Sequence, residues 1–185
     1  MTKTLSMKNS QFKTTADSED ESWLIFDLES DGLYDAVSKI HCLVIYDLQS
    51  GNTFSYGPDA IDNAITHLDS ADVLIGHNIL FYDIPVLKKL HGTNFKARVI
   101  DTLICTRLIW PKETLYDLDD EQYQEVPPKL KGSASLKAWG YRLADHKIEF
   151  QDFTEYSQEM LDYCIQDVRV TEKLWNHIIN QKYPE

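Results

Sequence analysis

At 185 residues the chain is sized for one folded domain with a substantial core. Its 43% hydrophobic and 26% charged residues are the balance of a globular protein, and no run is long and apolar enough to span a membrane. A net charge of −12 excludes broad electrostatic binding of nucleic acid, but not an enzyme whose acidic site holds metal ions.

The charge is unevenly spread. Residues 113–125 carry six acids and no base, whereas 127–147 carry Lys129, Lys131, Lys137, Arg142 and Lys147 against Asp145 alone. That pattern fits either a local basic lip or a solvated helix face. The cysteines Cys42, Cys105 and Cys164 are odd in number, widely spaced and without a Cys-x-x-Cys pair. They read as buried free thiols in a reducing compartment, with the cytoplasm as the expected location.

Residues 1–22 are polar, with Phe12 their only aromatic, and are expected to form a disordered leader. They lack the apolar run of a signal peptide. A single domain is expected from residue 23 to residue 185. Trp23 to Glu29 alternates as a buried strand does, with Leu24, Phe26 and Leu28 on one face and Trp23, Ile25, Asp27 and Glu29 on the other. His41–Leu48 and Thr53–Tyr56 read as two more strands, joined by a turn at residues 49–52 into an antiparallel meander. Pro58 opens an amphipathic helix to about Leu68, with Ile61, Ile65 and Leu68 on one face.

Asp72–Asn78 is short and apolar, as a buried parallel strand is. Asp83–Leu90 reads as a helix closed by Gly92. Val99–Leu103 reads as a short strand running into a helix to about Trp110, with Asp101 as its cap. Trp110–Lys131, with Pro111, Pro127 and Pro128, reads as a long mobile connection. Ser133 is placed as the cap of a helix carrying Leu136, Trp139, Gly140 and Leu143, and a final helix spans about Tyr156–Ile179. This order implies an α/β fold: a mixed five-stranded sheet flanked by helices, with the Asp27 strand central. Its two acids then lie at the carboxyl edge of the sheet, where ligands gather.

Neighbouring carboxylates on one strand face repel each other, and a divalent cation between Asp27 and Glu29 is the economical explanation. Asp-x-Glu also serves as a plain polar exit from a strand. Asn78, Tyr82 and Asp83 fall in the loop and first helical turn above the sheet, where Asp83 also suits the helix dipole. Tyr163 and Asp167, four residues apart, share one face of the last helix. Singly, Tyr163 reads equally as a core aromatic, and Asp167 as a surface acid paired with Arg169 or Lys173. Acid oxygens without a Cys or His cluster suit hard divalent cations.

Asp27-x-Glu29, Asn78-x-x-x-Tyr82-Asp83 and Tyr163-x-x-x-Asp167, in that order and on those elements, closely resemble the three exonuclease motifs of the DEDD superfamily, in its tyrosine-containing, DnaQ-like branch. Asp101-Thr102 resembles a recurrent feature of that family. The resemblance covers residues 23–180 and implies a ribonuclease-H-like fold. Lys39–Asp47, Ser133–Leu143 and the Tyr163 helix look like the proofreading domain of family-A DNA polymerases from T-odd-type podophages. This chain departs from them in its polar leader, and in ending at Glu185, about where that domain would hand over to a polymerase. The expectation is a free-standing proofreading-type exonuclease, or the exonuclease domain of a phage DNA polymerase.

The resemblance implies metal-dependent 3′-to-5′ hydrolysis that releases 5′ mononucleotides. Two Mg²⁺ or Mn²⁺ ions would be held by Asp27, Glu29, Asp83 and Asp167, with Asp27 bridging them. Tyr163 would orient the attacking water, a safer role than general base for a side chain whose ordinary pKa is about 10. Implied substrate contacts are Ser30 through its backbone amide, Leu33 as an apolar wedge between terminal bases, and Asn78 and Tyr82 at the terminal nucleotide. Lys131, Ser133 and Arg142 are candidates for contact with the nucleic-acid backbone. Leu33 reads otherwise as a core residue at a turn, and His41 and His77 are expected to be structural. The expected partner is DNA with a single-stranded or frayed 3′ end, with a separate DNA polymerase as a further candidate and no membrane. The rivals are an exoribonuclease of the same branch and a catalytically silent nucleic-acid-binding or docking module.

Overall fold

The computed structural model describes residues 21–145 and 149–180. Strands β1 (Trp23–Ser30), β2 (Ile40–Asp47), β3 (Thr53–Tyr56), β4 (Val73–Gly76) and β5 (Arg98–Asp101) form one five-stranded sheet in the order β3-β2-β1-β4-β5. β1 pairs antiparallel with β2 and parallel with β4, and β4 pairs parallel with β5. The expected mixed sheet with a central acid-bearing strand is the one the chain adopts. The helices are α1 (Ile61–Asp69), α2 (Asp83–His91), α3 (Thr102–Ile109), α4 (Lys112–Glu121), α5 (Leu136–Arg142) and α6 (Gln158–Ile179).

The alternation of β1 sorts the core into two layers. Leu24, Phe26 and Leu28 pack with Ile61, Ala64 and Leu68 of α1 and with Val86 and Leu87 of α2. Ile25 packs on the other face with Cys42, Val44, Val73 and Ile75, under Met160, Cys164 and Val168 of α6. Each fully buried side chain of this size contributes about 1.5–3 kcal/mol, so slipping β1 by one residue would expose a whole layer. A third cluster of Trp110, Leu115, Leu136, Trp139, Val170 and Leu174 joins α3, α4 and α5 to the distal half of α6.

Gly76 ends β4 where nothing larger fits. A Cβ there would stand 2.2 Å from Ile79 Cγ2 and 2.8 Å from the Phe26 carbonyl oxygen. Glycine therefore lets the segment after β4 fold back against β1. Gly92, at φ 69°, closes α2 as expected.

Several expectations need correction. The connection expected over 110–131 contains α4, which buries Leu115 and Asp119 one turn apart, and a 3₁₀ turn at Pro128–Leu130. The cap of α5 is Ser135, whose side chain accepts from the Ala138 N–H; Ser133 bonds the Ser135 hydroxyl instead. The leader expected over 1–22 lies outside the described residues except for its last two. Glu21 bonds Arg98 at 2.8 Å, and the Ser22 N–H donates to Asp72 at 2.9 Å. Cys42 and Cys164 are buried free thiols, but Cys105 is only half-buried. Among the described residues, no helix is long and apolar enough to cross a membrane.

Candidate active site

β1 pairs with β4 only over Trp23–Ile25, so Asp27 to Ser30 extend past the parallel neighbour. A register shift at Glu29/Ser30 marks a bulge, a device that ends strand pairing and re-aims side chains beside functional sites. Asp27 and Glu29 are half-buried on the face covered by α6. The Cys164 thiol of α6 donates to the Asp27 carbonyl at 3.4 Å and to Asp27 Oδ2 at 3.6 Å. One ligand atom each from Asp27, Glu29 and Cys164 lie within 4.8 Å of one another. Burial first, then the Cys42 thiol and the Asp27 charge, push the Cys164 thiol well above its ordinary range. It stays protonated, and the ligand atoms left in this group are carboxylate oxygens, which suit a hard divalent cation.

Asp83 opens α2 and is buried, its Oδ1 accepting from the Leu28 N–H at 3.2 Å, so α2 is tied to β1 beside Asp27. Burial, followed by the charges of Asp101 and Asp167, pushes Asp83 up to about 7 against the lowering effect of backbone N–H groups. Raised carboxyl groups among like charges are the mark of a site that takes up either protons or cations. Asp167, also buried, comes from α6 and is thereby a neighbour of Asp83. The Arg169 and Lys173 side chains, considered as its partners, each bond Asp145 at 2.7 Å. Tyr163, one turn before Asp167, is half-buried with its ring 5.8 Å from Phe150 and 6.1 Å from Phe153. His41 bonds the Phe153 carbonyl at 3.0 Å and so ties β2 to this aromatic group.

Asp101 does more than cap α3. Its carboxylate accepts from the N–H groups of Leu103 at 2.9 Å, Asn78 at 2.9 Å and Leu80 at 3.1 Å. Asn78 sits at φ 68°, a left-handed conformation that asparagine tolerates, and Asp101 holds it there. His77 bonds the Thr102 hydroxyl at 3.0 Å. The loop leading to Asp83 is thus fixed from the end of β5.

Tyr82 reaches across to the end of β1. Its hydroxyl lies 2.5 Å from Ser30 Oγ and donates to the Gly32 carbonyl. Leu33, proposed as a wedge or as a core residue, is 82% exposed, which rules out the core reading. Its carbonyl accepts from Ala36 and Val37, and Asp31 accepts from the Ser38 and Lys39 N–H groups, so the backbone under it is well held. Phe81, 68% exposed, and Leu80 are further exposed apolar side chains, in the loop before α2, that periodicity did not reveal because neither belongs to a regular element. The adjacency of Cys164 to Asp27 was also missed. Its signal was the four-residue spacing of Met160, Cys164 and Val168 along the buried stripe of α6.

Three substrate candidates lie elsewhere. The Arg142 side chain is 0% exposed, with Nε and Nη2 donating to the equally buried Asp119 at 2.7 and 2.8 Å, and Nη1 donating to the Ser133 carbonyl at 2.7 Å. A guanidinium so committed is a structural cation and does not reach a ligand. Lys131 bonds Asp120, and Ser133 bonds Ser135. Lys131 and Ser133 line a groove at the far end of α3, and Arg142 is buried behind it through the Ser133 carbonyl.

A central strand delivering two carboxylates, completed by acids from α2 and α6, defines a ribonuclease-H-like protein with a candidate metal centre. The RNase_H_2 model of the RNase_H superfamily matches residues 24–179, and the chain belongs to that superfamily. It is 31% identical to the DNA-directed DNA polymerase of Enterobacteria phage T3 and 30% identical to that of Escherichia phage T7. Each match covers 86% of this chain, but the chain spans only 27% of the length of these curated relatives. Among solved structures, Brucella melitensis NrnC with bound Mg²⁺ superposes with a TM-score of 0.59 at 20% identity, over 88% of this chain and 74% of that one. Escherichia coli Exonuclease I in complex with a dT13 oligonucleotide gives 0.56 at 13% identity, over 86% and 41%. Both are likenesses of fold.

Proposed function

We propose that the chain is a metal-dependent 3′-to-5′ exonuclease acting on DNA. The observation that carries this reading is the meeting of acids from three separate elements at one sheet edge, where Asp167 of α6 helps raise a buried Asp83 of α2 beside Asp27 and Glu29 of β1. A fold with no need of a cation would not concentrate buried like charge in this way.

Asp27, Glu29, Asp83 and Asp167 would hold two Mg²⁺ or Mn²⁺ ions. When bound, such ions supply nucleophile activation and neutralise charge on the phosphodiester. The rest falls to the chain itself. Tyr163, held by Phe150 and Phe153, orients the attacking water through its hydroxyl. Leu33, exposed beyond the end of β1, separates the terminal bases, and the exposed Phe81 offers them a ring. Ser30, tied to Tyr82, presents the end of β1 to the terminal sugar, and Asp101 keeps Asn78 in place. The bond broken is the last phosphodiester, and a 5′ mononucleotide leaves. The polymerase relatives make replication alongside a DNA polymerase the natural setting.

The test is digestion of matched 5′-labelled DNA and RNA strands with Mg²⁺, Mn²⁺ and EDTA. Stepwise shortening of DNA from the 3′ end, abolished by EDTA, is expected. Faster shortening of RNA would turn the reading to the exoribonuclease, and binding without shortening would leave a silent docking module.

A further inference from the structure

On a molecule of net charge −12, one concavity has the opposite sign. A groove of about 400 Å³ between the end of α3, the start of α4 and residues 129–134 is lined by Arg107, Lys112, Lys129 and Lys131, and its lining contains no carboxylate. Three of the nearby acids are already engaged, and Glu113 and Asp117 of α4 are exposed outside the groove lining. Asp119 is buried against Arg142, Asp120 bonds Lys131, and Glu149, which also feels Lys129, bonds Lys137 at 2.8 Å. Arg107, Lys112 and Lys129 are exposed, so positive charge is in excess there.

The groove is built rather than incidental. Gly132, at φ +71°, lies so close to α4 that a Cβ would stand 3.1 Å from the Lys112 carbonyl oxygen. Its N–H donates to Asp119 at 2.8 Å, while Arg142 holds Asp119 and the Ser133 carbonyl together. A fully buried ion pair is costly in desolvation and serves best where it enforces a particular arrangement. Here it fixes the lysine-bearing segment 129–134 against α4, so that Lys129 and Lys131 stand beside Lys112 and Arg107. Trp110, in the groove floor, is already packed on Trp139 and His177, so the groove offers charge and no ring on which a base can stack.

α3 starts at the acid edge, beside Asp101, and leads to this groove. Eight residues of helix span about 12 Å, or three to four nucleotides of a stacked strand at about 3.4 Å each. We propose that the groove binds the phosphodiester backbone of a single strand a few nucleotides 5′ of the 3′ end seated at Asp27. This rests on the exonuclease reading and extends it: the strand is held at two stations, and the second is indifferent to base sequence.

The experiment compares two-nucleotide and eight-nucleotide oligothymidylates on the wild-type chain, on R107E/K129E, and on K88E/K96E, which makes the same charge change on exposed lysines elsewhere. The ratio of kcat/KM for the longer strand to that for the shorter should fall at least tenfold in R107E/K129E and hold in K88E/K96E. Anisotropy of the labelled eight-nucleotide strand in EDTA should show the slope of log K against log salt reduced by about 1.4, the value for two lost single-strand phosphate contacts. An unchanged ratio and slope in R107E/K129E, an equal loss in K88E/K96E, or tighter binding of a polyglutamate peptide than of the strand would each overturn the proposal. If the wild-type chain hydrolyses neither length, the exonuclease reading fails, and the anisotropy arm still decides the groove.

Discussion

Asp83 and Asp119 are both buried carboxylates on helices, and the chain treats them in opposite ways. Asp119 receives two N–H bonds from Arg142, at 2.7 and 2.8 Å, and a third from Gly132 at 2.8 Å. Asp83 receives the Leu28 N–H at 3.2 Å and faces the acids Asp101 and Asp167, which together with its burial hold it at about 7. A carboxylate that serves the fold is neutralised from within the chain. One at the acid edge is placed among its like and becomes comfortable only with a proton or a cation from outside. Burial alone does not separate the two kinds; the sign of the neighbours does.

The largest effects should separate chemistry from stability. Asp27→Asn or Asp167→Asn should lower metal-dependent hydrolysis on the order of 10³-fold while moving stability in urea by less than about 1 kcal/mol. Arg142→Ala should do the reverse, costing about 3–5 kcal/mol because Asp119 is left buried without its cation. Equal destabilisation by Asp167→Asn and Arg142→Ala in urea titrations would erase the contrast between the two regions.

The pH dependence sharpens it. The folded pKa of Asp83, about 7, lies above the ordinary 3.8, so the folded protein keeps a proton that the unfolded chain releases. This favours the folded state most at low pH, and the advantage is lost as pH rises from about 4 through about 7. In EDTA the loss should be at most about 4 kcal/mol. Asp83→Asn should flatten the profile, and millimolar Mg²⁺ should restore stability at pH 8 in the wild-type chain. A metal-free profile that rises between pH 4 and 7 by way of Asp83 would contradict the charge environment described. The smallest effect is expected of Tyr163→Phe, which removes one orienting hydrogen bond of about 1 kcal/mol and should slow turnover about three- to tenfold. Complete inactivation in a steady-state assay would mean that the hydroxyl takes part in proton transfer.

Local pattern made much of this legible. The alternation from Trp23 to Glu29 announced both the strand and which residues share its face, and the four-residue spacing of Tyr163 and Asp167 announced one helical face. The 110–131 region was misread because α4 has six acids in and just after it and few apolar side chains, so its pattern looks like solvated loop. What makes it a helix is the burial of Leu115 and the pairing of Asp119 with an arginine 23 residues away, and neither is a local signal. The same pairing misdirected the reading of Arg142, since a basic residue in a basic stretch looks exposed until its partner is seen.

By itself, then, the sequence determined the elements with strong periodicity, the central place of the Asp27 strand and the superfamily its motif order resembles, because periodicity and motif order are properties of the chain. Only the tertiary structure decided which charges are compensated. It buried Arg142 on Asp119, set Asp101 to hold the Asn78 loop, laid Cys164 against Asp27 and left Leu33 and Phe81 exposed. Electrostatic energy depends on distance and burial, and neither can be read along the chain.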